Sequence, residues 1–150
     1  DALPISFEDG DFVARPRPGS FVDADQVTQA LQNSTTHVVI DARSAGRFEG
    51  REPEPREGLR SGHMPGAFSV PFTSLQSEGR MLPPEKLKQQ LLSRVRPDQK
   101  LIASCGSGVT ACVVALAAEL AGHAPSQIAI YDGSWSEWGL AGSGRPVARE

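Results

Sequence analysis

Cys105 is followed directly by Gly106-Ser107-Gly108-Val109-Thr110, and this run separates two apolar stretches, Leu101-Ile102-Ala103-Ser104 and Val109–Ala121. The first stretch predicts a strand and the second a helix, so the cysteine falls where a strand's carboxyl end turns into a helix. Two nearby glycines let such a turn curl with its amide hydrogens pointing inward as an anion-binding nest. The helix start adds positive partial charge. Both effects favour the thiolate, the nucleophilic form of cysteine. The competing reading is a small, inert core residue, as many free cysteines are. Cys112 lies inside the apolar stretch between Ala111 and Val113, which predicts a packing residue. Two helical turns separate the two cysteines and the C-x-x-C spacing is absent, which argues against a redox pair.

Three cysteine chemistries compete at this loop. A cysteine phosphatase needs an arginine six residues after the nucleophile to clamp phosphate oxygens, and position 111 is alanine. A thiol hydrolase needs a histidine base, but spacing places none of His37, His63 or His123 beside Cys105. Sulfur transfer needs less: a thiolate that attacks sulfur, and amides that hold the resulting persulfide.

The elements that must position this loop are legible as alternating strands and helices. Asp23 and Gln26 have capping-box spacing ahead of Val27, Ala30 and Leu31 on one helical face. His37-Val38-Val39-Ile40 is a β-branched run ending at Asp41. Residues 44–66 are a long polar loop with one helical turn at Ala45–Phe48, and a loop of that length is usually functional. Ala67–Pro71 reads as a short strand. Pro83-Pro84 opens a helix carrying Leu87, Leu91, Leu92 and Val95. The Val109–Ala121 helix is apolar almost all round, which predicts burial on most sides. Ile128–Tyr131 is a further strand, and Trp135 and Trp138 share one face of the short helix after it, as core or rim. The alternation predicts an α/β domain, a parallel central sheet of about five strands with helices on both faces. Residues 1–22, rich in proline and glycine, read as a linker or wrapping arm. The domain then spans 23–145, with a tail at 146–150.

Composition narrows the function classes. In 150 residues there are only two cysteines, too few for a disulfide scaffold. No apolar run reaches membrane-spanning length, and the amino terminus lacks a signal-peptide pattern. A net charge of −3 argues against nucleic-acid binding. A protein of a reducing compartment, cytoplasmic or else mitochondrial, is the expectation.

Cys-Gly-Ser-Gly-Val-Thr at 105–110 resembles the active-site loop of rhodanese-fold 3-mercaptopyruvate sulfurtransferases. Three further stretches resemble that family in the same order. Gly62-His63-Met64-Pro65-Gly66-Ala67 is similar to its first signature. Tyr131-Asp132-Gly133-Ser134-Trp135-Ser136-Glu137-Trp138 is similar to its closing signature. Gly46-Arg47-Phe48 with Glu52-Pro53-Glu54-Pro55-Arg56 is similar to its substrate-binding loop.

The resemblance implies a rhodanese-like domain in which Cys105 takes sulfur from 3-mercaptopyruvate as a persulfide, releases pyruvate, and passes the sulfur to a thiol, thioredoxin or cyanide. It implies that Arg47 and Arg56 bind the donor's carboxylate and keto oxygen, and that Gly106, Gly108, Val109 and Thr110 form the persulfide and anion loop. It implies that Ser107 joins a histidine and an aspartate in a relay. Those partners are expected from an inactive upstream rhodanese-like domain, with residues 1–22 as the linker from it. No metal or organic cofactor is implied. The uncharged loop interior suits the monoanion mercaptopyruvate better than the dianion thiosulfate. The alternatives are a thiosulfate:cyanide sulfurtransferase and a non-catalytic rhodanese-fold binding module. His63 is expected to organise a turn and Asp41 to orient a loop. Arg43 and Arg60 are expected to be solvated loop charges, with a structural ion pair as the alternative for Arg43.

Overall fold

The computed structural model describes residues 10–149, so the first nine residues of the expected arm lie outside the described part. The chain runs β1 (Phe21–Val22), α1 (Ala24–Gln32), β2 (His37–Asp41), α2 (Ala45–Phe48), β3 (Phe68–Ser69), β4 (Gln76–Ser77), β5 (Arg80–Met81), α3 (Pro84–Leu92), β6 (Lys100–Ser104), α4 (Ala111–Leu120), β7 (Ile128–Tyr131) and α5 (Ser134–Trp138). Five strands form one parallel sheet in the order β1-β7-β6-β2-β3, while β4 and β5 make a separate antiparallel hairpin. The sheet is the expected one. Its edge strand β1 comes from the last two residues of the segment read as an arm, because Phe21 and Val22 pair with Ile130 and Tyr131.

Strand alternation divides the core. Val38 and Ile40 of β2, with Leu101 and Ala103 of β6, face α3 and α4, where Leu87, Leu91, Val114 and Ala118 meet them. Val39 and Ile102 face the other way, onto Val27 and Ala30 of α1 and onto Trp135 and Trp138 of α5. Each large side chain so buried contributes about 1.5–3 kcal/mol. The capping box forms as the spacing predicts: Gln26 N donates to Asp23 Oδ1 at 2.8 Å, and Asp23 N donates to Gln26 Oε1 at 2.9 Å.

Helix α4 differs from expectation. Ala111, Val114, Ala117 and Ala118 are buried, but Cys112, Leu116 and Leu120 are exposed. The helix is an outer layer, and only the stripe of small residues at helical spacing meets the sheet. Cys112 is therefore not a core packing residue, despite apolar neighbours in sequence. The terminal segment also differs from a loose tail. Ala148 and His63 exchange backbone hydrogen bonds of 3.0 and 2.9 Å, and Trp138 Nε1 donates to Pro146 O at 2.8 Å. No helix among the described residues is long and apolar enough to cross a membrane.

Candidate active site

Because β2, β6 and β7 are parallel neighbours, the loops that follow them converge at one edge of the sheet, where open α/β sheets collect ligands. The loop after β2 brings Arg47, Glu54 and Arg56; the loop after β6 brings Cys105 to Thr110; the turn after β7 brings Ser136. All of these except Gly108, together with Pro55 and Leu59, line a cleft of about 190 Å³. Cys105 is only 2% exposed, yet it forms part of the cleft wall, so it is recessed rather than sealed.

The loop is shaped from below by α5. Trp135 N donates to Cys105 O at 3.0 Å, and both Ser136 N and Ser136 Oγ donate to Gly106 O, at 2.8 and 2.6 Å. In a planar trans peptide the next N–H points opposite to the carbonyl. Anchoring these two carbonyls on α5 therefore turns the N–H groups of Gly106 and Ser107 away from α5. The backbone N–H groups of Gly106, Ser107, Gly108, Val109 and Thr110 have no protein acceptor among the described residues. Five successive donors without a protein acceptor therefore follow a recessed sulfur, the composition an anion nest requires. Gly108 must be glycine here: its φ is +83°, and a Cβ would stand 2.9 Å from Asp132 Oδ1 and 3.0 Å from Asp132 O. Gly106 leaves room for Arg47, whose Nη2 would be 3.0 Å from a Cβ at 106.

Both expected donor-binding arginines reach the cleft. Arg47 is held by Glu54 through Nε at 3.2 Å and Nη2 at 2.5 Å. Arg56 donates from Nη1 to Ser136 Oγ at 2.6 Å, so one hydroxyl joins this arginine to the Gly106 carbonyl. Ser107 lines the cleft, but no histidine stands with it. His63 is buried, bonded through Nδ1 to Phe48 O at 2.8 Å and stacked on the Phe48 ring, which makes it the turn organiser its sequence context predicts. His37 is bonded to Thr36 at the far end of β2.

Two arginines depart from the solvated-charge expectation. Arg43 has no exposed side-chain surface; it pairs with Asp41 at 2.7 Å and Glu54 at 2.7 Å and lies 4.2 Å over the Trp135 ring. Arg60 donates to the carbonyls of Trp138, Gly139 and Arg145 and to Ser143 Oγ, tying the long loop to the segment after α5. Asp41 does hold a loop, as expected, by accepting from Arg43 N at 2.9 Å.

Three residues that build the site escaped sequence reading. Glu54 sits between two prolines in the loop that carries Arg47. Ser136 lies in the closing stretch. Ser134 is fully buried at φ 49°, accepts from Cys105 N at 3.1 Å and donates to Tyr131 O at 2.7 Å. A non-glycine residue held in the left-handed region beneath a reactive loop stores strain of about 1–3 kcal/mol.

The Rhodanese-like domain family matches residues 23–141 of the chain. The chain is 42% identical over 143 residues to the 3-mercaptopyruvate sulfurtransferase of Mus musculus, an alignment covering 91% of this chain and 47% of that protein. It is 43% identical over 140 residues to Thiosulfate/3-mercaptopyruvate sulfurtransferase 2 of Arabidopsis thaliana, covering 92% and 39% respectively. The crystal structure of Escherichia coli SseA, a 3-mercaptopyruvate sulfurtransferase, superposes with a TM-score of 0.68 at 40% identity, over 89% of this chain and 48% of SseA. The chain thus spans less than half the length of these relatives.

Proposed function

The chain belongs to the rhodanese family, and on that premise we propose that it is a sulfurtransferase using Cys105 as its nucleophile and 3-mercaptopyruvate as its preferred donor. The observation that carries this reading is the recessed cysteine followed by five backbone N–H groups without a protein acceptor among the described residues, with two arginines lining the same cleft.

In the first half-reaction the Cys105 thiolate attacks the donor's sulfur. The carbon–sulfur bond breaks, its electron pair passes to the pyruvate carbon as an enolate, and the proton formerly on the donor thiol completes the methyl group of pyruvate. Cys105 keeps the sulfur as a persulfide whose terminal charge the loop amides hold. Arg47 and Arg56 bind the donor's carboxylate and keto oxygen, and a planar guanidinium suits a planar carboxylate. In the second half-reaction a thiol, thioredoxin or cyanide attacks the outer sulfur and releases the Cys105 thiolate. Thiosulfate is a weaker donor in this reading, because no cationic side chain occurs among Gly106, Ser107, Gly108 and Val109. The two free cysteines suit a reducing compartment such as the cytoplasm. A relay through Ser107 would take its histidine and aspartate from a further rhodanese-like domain, in keeping with the greater length of the relatives.

Mass spectrometry of the chain treated with 3-mercaptopyruvate tests this reading. One added sulfur, about 32 Da and removable by a reductant, is expected on the Cys105 peptide. The Cys105→Ser variant should lose both adduct and turnover, while Cys112→Ser keeps most of each. An adduct on Cys112 with none on Cys105 would refute the assignment.

A further inference from the structure

Among the described residues Glu54 is the one acidic side chain lining the cleft, and its surroundings give it a definite task. The carboxylate is 1% exposed and bridges two guanidinium groups. Oε1 accepts from Arg43 Nη1 at 2.7 Å and Arg47 Nε at 3.2 Å, while Oε2 accepts from Arg47 Nη2 at 2.5 Å. Arg43 is itself fixed without Glu54, by Asp41, the Gly62 carbonyl and the Trp135 ring.

Two consequences follow from this bridge. The first is aim. With the Nε side of Arg47 occupied, its free donors are on Nη1 and the outer hydrogen of Nη2, and Nη2 packs against Gly106 beside Cys105. The second is charge. Arg43 and Asp41 cancel, and Glu54 cancels Arg47, which leaves Arg56 as the uncompensated charge among these five side chains. With the Cys105 thiolate compensated by the loop amides, the one net positive charge of these side chains neutralises a monoanion, but leaves a second negative charge on a ligand without a counter-charge while still stripping it of water.

We propose that Glu54 sets the aim of Arg47 and the net charge of the cleft, and thereby makes the site selective for singly charged carboxylate donors over doubly charged oxyanions. This rests on the donor-binding reading of Arg47 and Arg56 given above. Glu54 is a positioning and specificity-determining residue in this account and does not touch the reacting atoms.

The test uses inert anions, so it does not depend on turnover. Alkylation of Cys105 by iodoacetamide is followed by peptide mass at constant ionic strength, with pyruvate or sulfate added as the protecting anion. In the unaltered chain pyruvate should protect at lower concentration than sulfate. Glu54→Gln keeps the shape and removes the charge, and should shift the ratio of the two protecting concentrations toward sulfate by at least about tenfold, the effect of one unit charge roughly 10 Å away at an effective dielectric of about 20. Glu54→Asp should restore the original preference. An unchanged ratio in folded Glu54→Gln, with both anions still protecting, overturns this proposal while leaving the donor site intact. Absence of protection by either anion in the unaltered chain overturns the donor-site reading and this proposal with it. Should Glu54→Gln not fold, Arg56→Gln must shift the ratio toward pyruvate by a similar factor, and an unchanged ratio there is equally fatal.

Discussion

Cys105 and Cys112 are seven residues apart and meet opposite surroundings: one recessed in the wall of a cleft, the other exposed on an outer helix. Neighbouring residue types placed the first at the carboxyl end of a strand, where it lies, but misjudged the burial of the second. Local apolarity reports how a helix could pack, whereas the layer order of the fold decides which side of it does. The same limit hid Arg43, whose burial depends on Asp41, Glu54 and Trp135 arriving from three parts of the chain. Tyr131 offers a test at this scale. Burial, reinforced by its 2.8 Å hydrogen bond to Glu137, raises its phenol above the ordinary value of 10.0. The native state therefore resists ionisation that the unfolded chain undergoes freely, so the stability this group contributes is intact below pH 10.0 and declines as pH rises beyond it. Tyr131→Phe should cost about 0.5–1.5 kcal/mol near neutrality through the lost hydrogen bond. It should also flatten the fall in Tm on going to about pH 11, above the ordinary tyrosine range. An equally steep alkaline fall in the variant would assign that loss to other groups.

At the scale of elements, the loop after β6 takes its shape from the helix after β7. The longer strands and helices were legible from periodicity because each has its own repeat, whereas the β4–β5 hairpin was not read, and the capping box at Asp23 and Gln26 formed as its spacing requires. The support of the loop was not legible. It depends on Trp135 and Ser136 reaching back about thirty residues to carbonyls whose direction no sequence pattern encodes. Edge strand β1 was hidden for a related reason, since two residues are too few to show any alternation. Gly108→Ala tests whether the loop's curl is what matters. A Cβ at φ +83° adds roughly 1–2 kcal/mol of backbone strain and meets Asp132 at 2.9 Å, so the loop must open. The expected result is a fall in the rate of Cys105 persulfide formation of roughly tenfold or more, since that is the kinetic equivalent of such strain at a reacting loop. The far-ultraviolet circular dichroism should stay native. A native rate would show that the loop's closure is dispensable.

For the whole molecule, the decisive feature is how a long loop of 23 residues, from Ser44 to Gly66, is kept rigid enough to present two arginines. Its own helical turn is too short to do so. The segment after α5 supplies the missing order: Arg60 grips its carbonyls, Leu59 bridges to Leu140, and His63 exchanges hydrogen bonds with Ala148. Arg149 Nε adds a bond to Ser61 O at 3.0 Å, and Trp138 Nε1 is satisfied by Pro146 O. Residues 146–149, the described part of the segment read from sequence as a tail, thus act as a strap between the long loop and the core. Deleting them removes the two His63–Ala148 bonds and leaves a tryptophan N–H without its acceptor. Each orphaned buried group costs about 1–3 kcal/mol, which in a chain of this size predicts a Tm lower by roughly 5–10 °C. Because the loosened loop carries Arg47 and Arg56 while Cys105 stays anchored on α5, the deletion should raise the half-saturating donor concentration more than it slows alkylation of Cys105 by iodoacetamide. If both change together, the strap acts on the fold as a whole and not on the presentation of the arginines.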